Sequence, residues 1–269
     1  RLRGSDVASG VGAFTYITAT TWVTMPTSGS NNEVVVDLSA DGRYTLRYRA
    51  IDRAGNVEAS ERSEPITIDR TPPASPVDLV APVGWSTVPT FTLTFDWPLP
   101  LGESGVGGAL YRLNSAPTRE SDGTPVSVEW VPQQRRYQTR IAVAAQGTHT
   151  LYFWLRDGAC NSDYRTAITR TLRYDAAPPV TTVTPDRPPD FNPWYKQPVT
   201  LTFNATDGLG SGVEAIYYRI NGGAEQSLQP GGRLTLTQTG IYAISYYARD
   251  VAGRQEAARV VTYQVDMTP

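Results

Sequence analysis

The sequence predicts an all-β protein made of tandem sandwiches of two antiparallel sheets, and three observations carry that prediction. Glycine (23) and proline (21) are abundant among the 269 residues, which fits many short strands separated by turns. Short segments alternate apolar residues with threonine. One long run returns three times without a gap, at Gly42–Asn56, Gly147–Asn161 and Gly240–Arg254. A repeat of this period determines the architecture of a chain.

Two segments show the strand pattern most clearly. Pro89–Phe95 and Pro198–Phe203 alternate apolar side chains with threonine, the period-two signature of a half-buried strand. Tyr111–Asn114 and Tyr217–Asn221 predict further strands, each after a Ser-Gly-Val turn. No stretch keeps a helical period. Short strands with frequent turn signals favour a two-sheet sandwich.

The long run predicts a strand followed by a turn. Alternate positions form an inward set, and the positions between them are expected to face water: Tyr44, Leu46, Tyr48 and Ala50, then His149, Leu151, Phe153 and Leu155, then Tyr242, Ile244, Tyr246 and Ala248. The following Asp-x-Ala-Gly-Asn sequence predicts a turn, since Asp and Asn bond to nearby backbone and Gly and Asn accept positive φ. The tyrosine near the start of the run occupies the place of a corner tyrosine, whose hydroxyl bonds back to the chain.

Two further markers divide the chain. Ser-Gly-Val precedes each long run, at Ser9, Ser104 and Ser211, and a strand ending in aspartate and proline follows each run. Proline lacks an N–H and biases its predecessor towards extended backbone, so Pro-Pro predicts a short stiff hinge. We therefore predict repeat 1 at residues 1–73, repeat 2 at 74–179 and repeat 3 at 180–269. The linkers at 69–73 and 175–179 are called the first and second junction.

Repeat 1 is predicted to lack its N-terminal strands. Only eight residues precede Ser9, whereas about thirty separate each Pro-Pro from the next Ser-Gly-Val. One interpretation is that the chain is a segment of a longer repeat protein. The other is that a strand from a neighbouring copy completes repeat 1 by strand complementation. An unpaired sheet edge requires one or the other.

The ordered motifs resemble a known group. Ser-Gly-Val, Tyr-Arg-x-Asn, Gly-x-Tyr-x-Leu-x-Tyr-x-Ala-x-Asp-x-Ala-Gly-Asn and a closing Asp-x-Thr-Pro-Pro are similar to the bacterial immunoglobulin-like repeat. The likeness is greatest to repeats of leptospiral-type surface proteins and to accessory modules of secreted bacterial enzymes. It implies tandem immunoglobulin-like or fibronectin-III-like β-sandwiches. Such repeats serve adhesion, spacing and filament building alike, so the fold does not select a function.

Composition excludes several classes of partner. The net charge of −2 argues against nucleic acid, which requires a basic face, and offers no attraction to an anionic membrane. No apolar run approaches the roughly 20 residues of a membrane span. The single cysteine, Cys160, excludes a disulfide framework within the chain.

Comparison of the three copies argues against an enzyme. His149, the only histidine, stands where the sister copies have Tyr44 and Tyr242, which predicts a packed corner residue. Cys160 stands in a turn where the others have glycine. With one histidine and one cysteine, neither a Ser-His-Asp triad nor a zinc site can be assembled. We predict no catalytic residues and no organic cofactor.

Calcium is the one cofactor that the carboxylates leave open. Two sets of acids recur in the repeats, in the turns and in the linkers: Asp52, Asp157 and Asp250, and Asp69, Asp175 and Asp266. Carboxylates near a junction can form an oxygen cage for Ca²⁺ and stiffen an array. Turn capping explains the same residues without a metal, and the Asp-x-Asp runs of strong sites are absent.

Three aromatic residues are candidates for ligand binding. Tyr152 and Trp154 lie on the predicted outward face of the repeat 2 strand, and Tyr247 is the counterpart of Trp154 in repeat 3. Such rings can stack on sugars, contact another protein or pack between repeats. By contrast, Trp85 and Trp194 recur at matching positions and are predicted to be structural.

The sequence therefore favours a non-catalytic array of structural modules in a bacterial extracellular or cell-surface protein, such as a stalk, an adhesin segment or a filament subunit. Its partners would be neighbouring repeats or copies of itself. The alternative is a glycan- or protein-binding accessory region of a secreted hydrolase.

Overall fold

A computed structural model describes residues 1–5, 9–18, 21–27, 32–98 and 104–269. These residues form an all-β chain of twenty-three strands, with two short 3₁₀ turns at Glu120–Asp122 and Tyr164–Thr166. The prediction of an all-β fold with several antiparallel sheets is confirmed. The core of each predicted repeat lies between strands of its own sequence range.

Repeat 1 contains the first six strands: β1 Leu2–Arg3, β2 Val11–Ile17, β3 Val23–Pro26, β4 Glu33–Val34, β5 Gly42–Asp52 and β6 Arg62–Ile68. They form a four-stranded sheet in the order β3-β2-β5-β6, and β1 pairs with β4. Phe14 from β2 and Leu46 from β5 pack on Leu2 and Val34 in a small core.

Repeat 2 contains nine strands: β7 Val77–Val80, β8 Trp85–Ser86, β9 Thr90–Asp96, β10 Val106–Leu113, β11 Thr124–Val126, β12 Glu129–Val131, β13 Arg136–Ala142, β14 Gly147–Asp157 and β15 Ile168–Tyr174. One sheet has the order β11-β10-β14-β15-β8 and the other β12-β13-β9-β7. Phe91, Leu93 and Phe95 of β9 meet Leu151, Phe153 and Leu155 of β14 in the core. Repeat 2 is therefore a sandwich of two sheets.

Repeat 3 contains eight strands: β16 Val180–Pro185, β17 Trp194–Tyr195, β18 Val199–Thr206, β19 Val213–Ile220, β20 Gln226–Leu228, β21 Gly232–Leu236, β22 Gly240–Asp250 and β23 Arg259–Val265. A three-stranded sheet, β16-β18-β21, faces a five-stranded one, β17-β23-β22-β19-β20. Leu201 and Phe203 pack against Ile244 and Tyr246 between them.

Repeat 1 has the same central strands as the other two repeats. In each repeat the strand after Ser-Gly-Val pairs with the long strand through the same irregularity in register, as at Val106/Gly108 in repeat 2. Trp85 and Trp194 begin equivalent short strands, which pair in parallel with β15 and β23. Within the described part of repeat 1, no strand corresponds to β7 or β8. The repeat boundaries themselves stay a prediction.

The inward set of the long strand faces the cores. Leu46, Leu151 and Ile244 occupy the same position of their copies and are all buried. Alternate side chains of a strand point to opposite faces, so this agreement fixes the register of the three copies.

The predicted corner is present in all three copies. The Tyr44 hydroxyl donates to the carbonyl of Ala40 at 2.9 Å, and that of Tyr242 donates to Gln238 at 2.8 Å. In repeat 2 the Nε2 atom of His149 lies 2.8 Å from the carbonyl of Ala145, and its Nδ1 lies 3.1 Å from the amide nitrogen of Asn114. Nε2–H therefore donates and Nδ1 accepts, so a neutral imidazole replaces the phenol.

Cys160 occupies a position that suits glycine. Its φ is +70°, close to the +91° of Gly55 and the +88° of Gly253 in the sister turns. A side chain at positive φ crowds the backbone, so glycine is preferred there. The cysteine fits the turn at a conformational cost.

The corner hydrogen bond gives a first testable prediction. We expect His149→Phe to lower the free energy of unfolding of repeat 2 by about 0.5–1.5 kcal/mol, because the bond to Ala145 is lost. His149→Tyr restores the donor found in the sister copies and should retain full stability. Urea denaturation of the whole chain, followed by tryptophan fluorescence, measures both variants. Equal stabilities for the Phe and Tyr variants would contradict this role.

Candidate functional site

Three aspartates meet where repeat 2 continues into repeat 3. Asp175 follows β15, Asp207 follows β18, and Asp250 ends β22. One carboxylate oxygen from each lies within 4.8 Å of the other two. Asp175 and Asp250 are fully buried and Asp207 is partly buried. The second junction thus carries a compact group of acids from both repeats.

The acids are held by backbone donors. Asp175 accepts from the Ser211 N–H at 2.8 Å, and Asp207 accepts from the Gly212 N–H at 2.7 Å. Asp250 Oδ1 accepts from the Arg254 N–H at 2.8 Å. Asp250 Oδ2 and Asp207 Oδ1 are enclosed without any hydrogen-bond donor. A buried polar atom in that state costs stability unless another group satisfies it.

The glycine in this loop lies directly against the carboxylates. A methyl group placed on Gly210 would lie 2.6 Å from an Asp207 oxygen and 2.8 and 2.9 Å from the two Asp175 oxygens. Any side chain at this position would collide with the acids, so glycine permits their close approach. Among the described residues no ion pair includes Asp175, Asp207 or Asp250.

The acids of this chain differ in their proton affinity. Burial raises the pKa of Asp207, and the charges of Asp175 and Asp250 raise it further against the hydrogen bond from Gly212. The Ser104 hydroxyl and N–H lower the pKa of Asp69. The carboxylates of the cluster therefore repel one another, whereas the carboxylate of Asp69 is stabilised by hydrogen-bond donors.

The first junction uses equivalent residues in another way. Asp69 Oδ2 accepts from the Ser104 N–H at 2.8 Å and from its hydroxyl at 2.6 Å. The Asn161 side-chain amide donates to Asp157 Oδ2 and to the Asp69 carbonyl, both at 2.9 Å. Asp96, at the end of β9, pairs with Arg136, and Glu103, in the loop before Ser104, lies outside the described residues. The Asn161 amide thus links the Asp157 carboxylate to the backbone of Asp69.

The remaining two metal candidates lie apart from any such group. Asp52 accepts from the Asn56 side-chain amide at 2.7 Å, which lowers the pKa of Asp52. Asp266 accepts from the Thr268 hydroxyl at 2.7 Å, which lowers its pKa likewise. Of the six predicted candidates, the structure brings Asp175 and Asp250 into the three-acid cluster and Asp69 and Asp157 onto Asn161.

Sequence reasoning missed Asp207, Gly210 and Arg254. Asp207 stands four residues before Ser211 in repeat 3, and no aspartate occupies that place before Ser104. Arg254 stands where the sister turns have Asn56 and Asn161. A comparison that considers only the residues common to all three copies does not detect Asp207 or Arg254, because each occurs in one repeat only.

The prediction that Trp154 is a surface residue is wrong. Its side chain points away from the sandwich core but is fully buried, opposite Leu110 on the neighbouring strand. The long connection between β10 and β11 folds over this face, and a methyl group on Gly123 would lie 2.4 Å from the indole ring. Asp122 holds the connection in place through Arg112, at 2.6 Å. Trp154 therefore cannot stack on a sugar.

The other two aromatic candidates remain partly exposed. Tyr152 precedes the buried Trp154 by two residues on the same strand face. Tyr247 stacks on Tyr217, with ring centroids 5.2 Å apart, and its hydroxyl donates to Glu225 at 3.1 Å. The connection between β19 and β20 is shorter than its repeat 2 counterpart, which leaves this tyrosine pair partly uncovered.

Comparison with known proteins identifies no family for this chain. No family model matches it, and no curated protein matches it. Among solved structures, the fibronectin(III)-like modules of Clostridium thermocellum CbhA are similar, with 14% identity, a TM-score of 0.29 and coverage of 74% of this chain and 93% of that chain. A TM-score this low does not support a common fold, so the fold of this chain is described from its own sheets alone. None of the described residues forms a helix long and apolar enough to span a membrane.

The burial of Trp154 gives a second prediction. We expect Trp154→Ala to lower the free energy of unfolding of repeat 2 by about 3–5 kcal/mol, since a large side chain is removed from a packed site. Trp130→Ala is the matched control, because Trp130 is 51% exposed, and it should cost far less. Urea denaturation measures both. If the two substitutions cost the same, Trp154 is not enclosed.

Proposed function

We propose that this chain is a non-catalytic structural array of a bacterial extracellular or cell-surface protein, serving as a stalk, an adhesin segment or a filament subunit. One observation carries the proposal: at both junctions the linker aspartate accepts a hydrogen bond from the Ser-Gly-Val turn of the following repeat. The orientation of each repeat is thereby coupled to the next. A spacer requires such coupling between its repeats, whereas domains that bind independently do not need it.

The first junction shows how the linker is held. Its residues Arg70 and Thr71 donate to the Asp41 carboxylate of repeat 1 at 3.1 and 2.8 Å. The Arg70 side chain also donates to the carbonyl of Ser39 at 2.7 Å. Asp69 binds Ser104 of repeat 2. Because the linker is bonded on both sides, it transmits force between the repeats.

The second junction is crossed by an arginine. Arg254 of repeat 3 donates through Nε to the carbonyl of Asp175 at 2.9 Å and through Nη2 to that of Thr87 at 2.7 Å. Both acceptors belong to repeat 2. The same turn that carries Asn161 at the first junction therefore reaches the preceding repeat here as well.

The use of His149 supports a role without catalysis. Both of its ring nitrogens are engaged in the corner, one with Ala145 and one with Asn114. A general base needs a free nitrogen within reach of a substrate proton. Both ring nitrogens of His149 are therefore used in hydrogen bonds that hold the corner.

Strand complementation of repeat 1 is part of the proposal. In repeat 3 the Glu256 carboxylate accepts from the Thr181 N–H on β16 and from the Ala248 N–H. In repeat 1 its counterpart, Glu58, accepts from Ala50 at 3.1 Å and lines a cavity of about 450 Å³. A strand resembling β16, from more of this protein or from another copy, would suit that cavity.

A binding role for repeat 3 is the second candidate. Tyr217 and Tyr247 form a stacked pair on the outer face of its five-stranded sheet. A glycan or a protein could pack on this pair, as expected for an accessory region of a secreted hydrolase. Arg249 already lies over the Tyr217 ring at 5.3 Å, which reduces the free aromatic area.

The coupled junction gives a third prediction. We expect Asp69→Ala to release the linker from repeat 2, so that small-angle X-ray scattering shows a broader range of overall dimensions. Trypsin cleavage after Arg70 should accelerate roughly tenfold, because cleavage follows local opening.

Asp37→Ala is the control, since Asp37 is an exposed aspartate of the same repeat. It should leave both readouts unchanged. If Asp69→Ala scatters and digests like the parent chain, the two repeats are not coupled through this contact, and the structural proposal fails.

A further inference from the structure

We propose that Asp175, Asp207 and Asp250 bind one calcium ion, which clamps repeat 2 to repeat 3, while the first junction closes without an ion. This role extends the proposed structural function and rests on it. Asp175 comes from repeat 2 and the other two acids from repeat 3. An ion bound to all three would therefore bridge the repeats.

The distances suit one hard cation. Calcium binds oxygen ligands at about 2.3–2.6 Å, so two oxygens on one ion are at most about 5.2 Å apart. The carboxylate oxygens here lie within 4.8 Å of one another. Zinc favours nitrogen and sulfur ligands, which the three acids do not offer. The donors are therefore oxygens, which calcium prefers.

A second observation points to a ligand independently of the cluster of acids. Asp250 is fully buried, and its Oδ2 atom has no donor. The equivalent atoms of Asp52 and Asp157 accept from Asn56 at 2.7 Å and from Asn161 at 2.9 Å. Only Asp250 lacks that amide, because residue 254 is arginine and its side chain bonds elsewhere. A cation would satisfy the oxygen that the amide satisfies in the other turns.

The serine of the Ser-Gly-Val turn also bonds differently at the two junctions. At the first junction the Ser104 hydroxyl donates to Asp69. At the second, the Ser211 hydroxyl accepts from the Ala252 N–H at 2.8 Å, and the Asp175 carboxylate accepts from the backbone N–H groups of Ser211 at 2.8 Å and Ala177 at 3.3 Å. Asp175 thus keeps more free acceptor capacity than Asp69. Compared with the first junction, the second lacks two side-chain donors, the serine hydroxyl and the asparagine amide, and it has one additional acid, Asp207.

Gly210 lies directly against this cluster. A methyl group at this position would lie 2.6–2.9 Å from oxygens of Asp207 and Asp175, which is a collision. No positive φ requires glycine here, since its φ is outside that range. Glycine is therefore required by the close approach of the two carboxylates, which a side chain would push apart.

The test is calorimetric titration of the whole chain with calcium chloride after chelation. We expect one ion per chain and a thermal midpoint that rises with calcium concentration. Asp207→Asn should abolish binding heat, and Gly210→Ala should weaken binding at least roughly tenfold, because its methyl group displaces the carboxylates without changing charge. Asp207→Asn should not unfold the chelated protein, since it removes a repelling charge.

Two further variants separate this site from general acidity. Arg254→Asn should weaken calcium binding, because the amide would donate to Asp250 as Asn161 donates to Asp157. Asp157→Asn at the first junction should leave the calcium titration unchanged. If the parent chain gives no binding heat, or if Asp207→Asn binds calcium like the parent, the inference is overturned. The effect of Asp69→Ala on the first junction is independent of this result, so the structural function would stand.

Discussion

Each repeat ends its longest strand with an aspartate whose carboxylate closes the following turn, and in repeats 2 and 3 that aspartate is buried. Asp52, Asp157 and Asp250 all accept the backbone N–H of the residue four positions later, and this bond closes the turn. The turn then lies against the Ser-Gly-Val turn of the same repeat, where the preceding linker enters. Removing charge from water is costly, so the second carboxylate oxygen of the buried Asp157 and Asp250 needs a partner as well. The choice of that partner distinguishes the first junction from the second.

Much of the fold was predictable because it depends on features that recur. A period-two pattern identifies the faces of a strand, and three copies of one strand fix the register where a single copy would be ambiguous. Leu46, Leu151 and Ile244 are buried as that register requires. The same comparison identified His149 as a corner residue, since a hydrogen-bond donor at this position reaches the chain four residues earlier whether it is a phenol or an imidazole.

The rest depends on what differs between the copies. The burial of Trp154 follows from the longer connection between β10 and β11, which covers a face that alternation alone assigns to solvent. The acid cluster follows from Asp207 and Arg254, which occur in one repeat only. Neither sequence distance nor pattern shows that a loop folds back onto a sheet. Repetition predicts the framework, and the departures from it locate the specific sites.

The two junctions therefore solve one electrostatic problem by different means. At the first, the neutral side-chain amide of Asn161 donates to the Asp157 carboxylate and to the backbone carbonyl of Asp69. At the second, the acids repel one another unless a cation joins them. Arg254 binds the backbone carbonyls of Asp175 and Thr87, and so it holds the junction without using the carboxylates. Loss of the proposed calcium ion would then loosen the carboxylates without separating the repeats, so the ion would set the stiffness of this junction while the arginine keeps it closed.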